Sequence, residues 1–440
     1  MATVCFGAFM GQLDASIVTL TYQPLRAEFH GTLAGVEWVS LGYLLTLVAL
    51  LVPVGRLSDV HGRKLMYLYG FAVFTLASAA CGLAPGLTAL VACRVVQAVG
   101  AAMMQANSVA LVATSAPPGR MRSALGIQAA GQAIGLALGP TIGGVLVSTL
   151  GWRWVFGVNV PIGLLALVAG HYLLPRTRQC ASTTRIDALG VLLLASSTTT
   201  VLLAMSVASG LGLPTWSAVL PLALSVLAGR AFLRRQAGHP HPLIDLDLLR
   251  GGPVGPGLLG GLCGYLILFG PLVLIPDVLA RQGSSPLATG LVLTALPVGF
   301  ALAATTAERL LPHDWTDLRR GRAGAAGCVA ALTLLALLPP RPTLLPGALA
   351  LLGLALGVFV PANNTLVMKA IPTTSAGTGG GMVNMTRGLG TAIGVAVVTL
   401  SLHLAPGNLG PHYATAALTT FALLALATTL RRSGPPATTS

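Results

Sequence analysis

Residues 35–84 read GVEWVSLGYLLTLVALLVPVGRLSDVHGRKLMYLYGFAVFTLASAACGLA. Within 35–54 the only charge is Glu37, and 66–84 carries none. A helix needs about 20 apolar residues to cross a hydrocarbon core of ~30 Å, and each run has that length. Between them lies a short polar stretch, 55–64, with Arg56, Arg63 and Lys64. In lipid a backbone must satisfy its own hydrogen bonds, so each run reads as a helix. The pair is a membrane hairpin with a basic turn.

Working outward, the same reading gives fourteen spans. They are 2–22, 35–54, 66–84, 87–112, 123–148, 154–174, 188–210, 215–233, 254–276, 287–307, 322–338, 343–361, 377–402 and 412–430. The chain has 440 residues, 54% of them hydrophobic and 8% charged. Average soluble proteins carry about 25% charged residues, so a water-facing surface is excluded. The connections are too short for a soluble domain. The expected division is 1–175, 176–253 (two additional spans and a linker), 254–432 and a tail, 433–440. The run beginning at Met1 has no preceding basic residue and no small-residue cleavage site, which argues against a cleaved signal peptide.

The formal net charge of +14 invites a nucleic-acid reading, but its placement argues for a membrane. With the N-terminus inside, the inner connections and tail hold Arg56, Arg63, Lys64, Arg120, Arg122, Arg176, Arg178, Arg185, Arg230, Arg234, Arg235, Arg250, Arg309, Arg319, Arg320, Arg322, Lys369, Arg431 and Arg432. The outer ones hold only Arg26, Arg153, Arg281 and Arg341. That asymmetry is the positive-inside rule, and it puts both termini in the cytoplasm.

Polar residues inside spans are expensive and need a reason. Asp14 is the only acid deep in a span. Desolvation disfavours its charged form, so it can take up and release a proton as its exposure changes. The alternative is a structural pairing with a neighbouring helix. Arg94 and Gln97 share one face of the fourth span, followed by Gln105 and Asn107. Arg94 would compensate Asp14, snorkel, or satisfy carbonyls. Asn384 and Arg387 repeat the three-residue spacing in span thirteen. Span five holds Gly131, Gly135, Gly139 and Gly143 at four-residue intervals, then Gly144. Such a face lets a neighbouring helix approach closely, and Pro140 removes a backbone donor and kinks the helix. In the loop after span two, Gly55 and Gly62 suit a tight turn, while Asp59 would cap the next helix or bond a facing helix end. The six cysteines have no C-x-x-C spacing, and the histidines no ligand spacing, so no metal site is expected. No G-x-x-x-x-G-K-[ST] is present, which leaves ATP coupling within the chain unsupported.

These strings resemble the major facilitator superfamily, and within it the fourteen-span drug–proton antiporters. GRLSDVHGRK, 55–64, resembles motif A, with Val60 where a basic residue is usual. Arg94, Gln97 and Gly100 resemble motif B, and 131–144 resembles motif C of exporters. LDASIVTLTYQP around Asp14, GWRWVFGVNVPIG at 151–163 and NMTRGLGTAIG at 384–394 resemble other family segments. The resemblance implies an all-α integral membrane fold of two six-helix bundles plus two extra helices, working by alternating access. It implies Asp14 as proton carrier with Arg94 as its modulator. Asp59, Arg63 and Lys64 would latch the cytoplasmic side, and Gly139, Pro140, Gly143 and Gly144 would shape the bundle interface.

The expected function is proton-coupled export of amphiphilic small molecules across the cytoplasmic membrane. The expected partners are a small lipophilic substrate, protons and the bilayer, with no nucleic acid. A monomer using the proton gradient and no cofactor is expected. The C-terminal spans hold no deep acid, which favours a neutral or singly charged substrate over a dication. The alternatives are a dedicated metabolite exporter or proton symporter of the same fold and, from another class, a membrane-embedded enzyme or sensor.

Overall fold

The computed structural model describes residues 2–30, 33–117, 119–174, 187–208, 215–239, 242–250, 252–283, 286–312, 314–339, 341–404 and 409–430. Arg176, Arg178, Cys180, Arg185, Arg431, Arg432, the tail 433–440 and the side chain of Pro140 lie outside them.

Helices are the regular elements of the described residues, with no strand among them. In order they form α1 (Ala2–Ile17), α2 (Tyr22–Phe29), α3 (Leu33–His61), α4 (Arg63–Gly82), α5 (Leu87–Ser115) and α6 (Met121–Thr149). Next come α7 (Arg153–Gly157), α8 (Asn159–Leu173), α9 (Ala188–Ala208), α10 (Val219–Gly238), α11 (Leu246–Arg250) and α12 (Val254–Arg281). Last are α13 (Pro286–Leu310), α14 (Asp317–Leu337), α15 (Leu345–Ala370), α16 (Ala376–Leu404) and α17 (Leu409–Leu430). Among the described residues, thirteen helical stretches are long and apolar enough to cross a membrane, and the bent pair α1–α2 makes up to fourteen. Large apolar side chains stay exposed along them, among them Leu76, Leu165, Leu192, Leu227 and Leu337. So much contiguous apolar surface is a lipid-facing surface.

The first span, expected at 2–22, is not one continuous α-helix. A 3-10 turn at Val18–Thr21 interrupts it, and the two parts bend by 55°. Pro24 has no N–H to give the Leu20 carbonyl, so the ladder breaks there. The Thr21 hydroxyl donates to the Val18 carbonyl within this turn, at 2.7 Å. Between α3 and α4 the chain turns at Gly62, whose φ of +99° favours glycine.

Packing divides the chain into two units. One holds Met1–Asp245 with Pro372–Leu389, the other Leu246–Ile371 with Gly390–Ser440. The additional pair α9 and α10 and the first half of α16 therefore pack with the N-terminal helices. In the second unit, Gly353 and Gly357 of α15 bring that helix close to α13, where added side-chain carbons would meet the Leu296 and Phe300 carbonyls.

Asp187 fastens α9 to α10 and to the segment after it. It caps α9 by accepting from the Gly190 amide at 2.9 Å, and it accepts from Arg235 at 2.8 Å and Gln236 at 3.0 Å. Gln236 in turn accepts from the backbone amides of Leu243 and Ile244. Burial pushes the carboxyl up, but the Gly190 amide, Arg235 and Gln236 outweigh burial and hold it below its usual value. The resulting stabilisation is complete above the unfolded aspartate value of about 4. It is lost as pH falls through the lower folded value. Thermal unfolding of the purified protein, followed against pH, is expected to weaken in that acidic window. In Asp187→Asn that component is absent; an identical acid limb in both proteins would refute the assignment.

Candidate functional site

Asp14 sits on α1, fully buried (0% exposed). Four helices supply its surroundings, all within the first unit. From α5, Arg94 donates to Asp14 Oδ2 at 2.7 Å, and Gln97 donates to Oδ1 at 3.0 Å. From α8, Asn159 donates to Oδ1 at 2.8 Å. From α3, the Val39 carbonyl accepts Arg94 Nε at 3.1 Å, and the Tyr43 ring lies 4.0 Å from the guanidinium carbon. Gln97 accepts from Arg94 at 2.6 Å and donates to Ser78 of α4 at 2.7 Å. Arg94 thus both pairs with the carboxylate and satisfies a carbonyl, and at 1% exposure it does not snorkel. Burying an ion pair costs desolvation of both ions, so it is tolerated only where further hydrogen bonds complete it. Gln97 and Asn159 complete this one.

Local packing fixes these positions. Gly100 of α5 and Gly70 of α4 meet closely: a carbon added at Gly100 would lie 2.5 Å from the Phe74 amide nitrogen. Gly135 of α6 would press a carbon to 2.5 Å from the Phe9 carbonyl of α1. Gly139 and Gly143 face Ser16 and Ile17 in the same way, and Gly131 faces the Cys5 carbonyl at 3.4 Å. Gly144 faces nothing within 4 Å and lies off this contact. α6 runs unbroken through position 140. The four-residue glycine face therefore seats α1, and α1 carries Asp14. Toward the ends of these helices, Ile17, Val18, Leu25, Val39, Leu90, Trp152 and Phe156 form a buried apolar cluster. Trp152 and Arg153 both bond Glu28 of α2 there, at 2.6 and 2.7 Å.

The other polar residues singled out in the sequence fall into a second group. Gln105 lies eight positions after Gln97 on α5, about 12 Å along the helix. Its carbonyl accepts from Asn384 at 2.7 Å, and its side chain accepts from Arg387, both on α16. Asn107 instead bonds Ser58 of α3 at 2.8 Å.

Asp59 forms a third centre, at the start of α16. Its buried carboxylate accepts from the Gly377 amide at 2.7 Å and from the Thr378 amide and hydroxyl at 2.8 Å each. Arg63 adds a salt bridge at 2.8 Å and also reaches the Thr373 carbonyl. Of the two roles open to Asp59, it takes the facing helix end: an anion at the positive end of α16 rather than a cap on α4. Gly55 is required beside it, because a side chain there would strike the Gly377 carbonyl. Lys64 turns the other way and donates to the His171 and Leu174 carbonyls at the end of α8, at 2.8 and 2.5 Å.

Sequence reasoning passed over several of these partners. Asn159 stands inside an apolar run, so the rule that flagged Asp14 would have found it. Tyr43 reads as an ordinary apolar position, and only its contact with Arg94 reveals it. In the second unit Arg320 is buried, donating to the Ala307, Pro312 and Trp315 carbonyls, while Asp317 pairs with Lys369 at 2.6 Å. The sequence reading takes Arg320 and Lys369 only as inner-side charges and does not single out Asp317.

The chain is 31% identical over 401 residues to the riboflavin transporter RibZ of Clostridioides difficile, covering 89% of this chain and 85% of that one. It is 30% identical over 420 residues to the tetracenomycin C resistance and export protein of Streptomyces glaucescens, covering 93% and 77%. The crystal structure of the human organic anion transporter MFSD10 superposes with a TM-score of 0.72 at 17% identity, covering 97% of this chain and 98% of that one. A profile of the Major Facilitator Superfamily matches residues 4–395. Because that match takes in helices of both packing units and carries the buried pair on α1 and α5 with it, the chain as a whole belongs to the major facilitator superfamily, as a multi-pass membrane transporter related to drug-resistance and export proteins.

Proposed function

We propose that the protein is a proton-coupled antiporter of the cytoplasmic membrane that exports amphiphilic small molecules by alternating access. It works as a monomer, draws on the proton gradient and needs no cofactor. One observation carries the reading: a fully buried carboxylate paired with a single arginine and held by two amides. While Asp14 is charged, the pair is neutral and ties α1 to α5 and α8. Adding a proton removes the attraction and leaves Arg94 as a buried charge, so the protonated site favours a different helix arrangement. A ligand that prefers one arrangement is then linked to the proton by reciprocal coupling. The glycine face between α1 and α6 supports the reading, because small residues let the helix carrying Asp14 shift without losing its seat. Glu28, Arg63, Lys64 and Asp59 bond elsewhere and would serve as latches, while Gln105, Asn384 and Arg387 are the polar groups offered to substrate.

A second reading, transport of one dedicated metabolite, is favoured by the riboflavin transporter among the relatives. Everted membrane vesicles test both. With the lumen acidified by respiration, tetracenomycin C, methylenomycin A, riboflavin and ethidium are added outside in turn, and a pH dye reports the lumen. Export by antiport is expected to release luminal protons on addition of several of these compounds. A response to riboflavin alone would favour the dedicated transporter. Substrate entry with no proton movement would overturn the antiport reading.

A further inference from the structure

Tyr43 combines features that its packing does not explain. It is 2% exposed, and its ring lies against the Arg94 guanidinium. Its hydroxyl is buried and has no hydrogen-bond partner among the described residues. Asp14, Arg94 and Arg387 all lie within electrostatic reach of it. An unmade hydrogen bond on a buried hydroxyl is costly. Phenylalanine would supply the same ring without that cost, so the oxygen calls for a partner in another state of the site.

The surrounding groups narrow that state down. α1 contributes Asp14, and α5 contributes Arg94 and Gln97. α4 brings Cys81 against Gln97, α8 brings the neutral Asn159, and α16 brings Arg387, already on Gln105. Tyr22 and Glu37 lie farther along, with Tyr22 in reach of Arg94. α6 presents glycines to α1 and has no ionisable residue beyond Arg122 at its start. When a proton reaches Asp14, the acid at this site that can take it, Arg94 is the group left without its counterion.

We propose that the Tyr43 hydroxyl oxygen is the acceptor Arg94 takes when Asp14 carries a proton, which makes Tyr43 a positioning residue for the proton step. The inference rests on Asp14 as the proton site. The proton adds to one Asp14 oxygen, the site gains one positive charge, and that charge stays on Arg94. An Arg94 N–H leaves the Asp14 oxygen and is accepted by the Tyr43 oxygen. Release of the proton reverses each step. In the deprotonated state the ring holds the guanidinium by cation–π attraction, so the arginine has only to move along the same side chain to reach its hydroxyl.

Tyr43→Phe keeps the ring and deletes the oxygen. It removes a partner from the protonated state and an unsatisfied group from the deprotonated one, and both effects move the protonation midpoint to lower pH. Infrared difference spectra of the purified full-length protein, recorded against pH, read that midpoint as the carbonyl band of a protonated carboxylic acid. Asp14→Asn identifies the band by abolishing it. The expected result is a band displaced by about one pH unit in Tyr43→Phe, a tenfold change in proton affinity, with thermal stability at neutral pH equal to or above wild type. An unmoved midpoint overturns the role of Tyr43 and leaves Asp14 as the proton site. A loss of thermal stability in Tyr43→Phe also overturns it, since the oxygen would then be bonded in the ground state. A titrating band that survives in Asp14→Asn removes the proton site itself. Tyr43→Leu, which deletes the ring as well, is expected to lower stability and so separates the two parts of the side chain.

Discussion

Asp14→Asn is expected to abolish gradient-driven efflux while the protein still inserts into the membrane. The asparagine keeps the shape and accepts a hydrogen bond, but it neither binds nor releases a proton in the working range. It also leaves Arg94 buried opposite a neutral group. Removing one partner of a buried pair costs about 3–5 kcal/mol, and the remaining amide contacts from Gln97 and Asn159 offset part of that. Lower thermal stability is therefore expected beside the lost activity, and the two must be separated. The double variant Asp14→Asn/Arg94→Gln does so: with both charges gone, stability is expected to recover while efflux does not. A susceptibility panel in an efflux-deficient host, with membrane-fraction blots for insertion, reads both outcomes. Undiminished gradient-dependent efflux in Asp14→Asn would reject Asp14 as the coupling group.

Gly135→Val is expected to have an effect of similar size by a different route. The first carbon of the new side chain would stand 2.5 Å from the Phe9 carbonyl and 3.2 Å from the Leu13 amide nitrogen. Both are backbone atoms of α1 and cannot yield by rotating, so α1 and α6 must move apart. Overpacking that shifts the backbone costs about 1–3 kcal/mol, at the upper end where no side chain can yield. Because Asp14 follows Leu13 on the displaced helix, its 2.7 Å contact with Arg94 is lost as well. Thermal unfolding measured by size-exclusion chromatography should drop, and efflux should fall with it. Gly144→Ala, where the added carbon meets nothing within 4 Å, is the matched control and is expected to behave as wild type. Equal stability in the two variants would remove the glycine face from the packing argument.

The contrast between those two glycines shows where reading the chain reached its limit. Gly143 and Gly144 are neighbours, and the sequence-level motif took in both. A helix turns 100° per residue, so only one of them meets α1, and which one depends on where α1 lies. Asp59 is a similar case. Its position in a basic loop marked it as a residue bonding a helix end, yet the end it bonds begins more than 300 positions away, at Gly377. The first span shows a local miss: Pro24 stands in the quoted string around Asp14, but the break at Leu20 was not drawn from it. Asn159 was visible as a polar residue in an apolar run. Tyr43 was not, because a tyrosine in a span is unremarkable until a cation is found over its ring.

The order of the spans and the place of Asp14 as an acid inside one of them were legible in the amino-acid sequence alone. These follow from transfer of each segment into lipid and from hydrogen bonds within a helix, and such quantities depend on neighbours along the chain. The tertiary structure alone decided that Asp14 meets Arg94, Gln97 and Asn159, that Gln105 rather than Asp14 takes Arg387, and that the start of α16 rests on Asp59. Those choices depend on which helix faces lie together, and desolvation makes each of them count: a buried polar group left without a partner is costly.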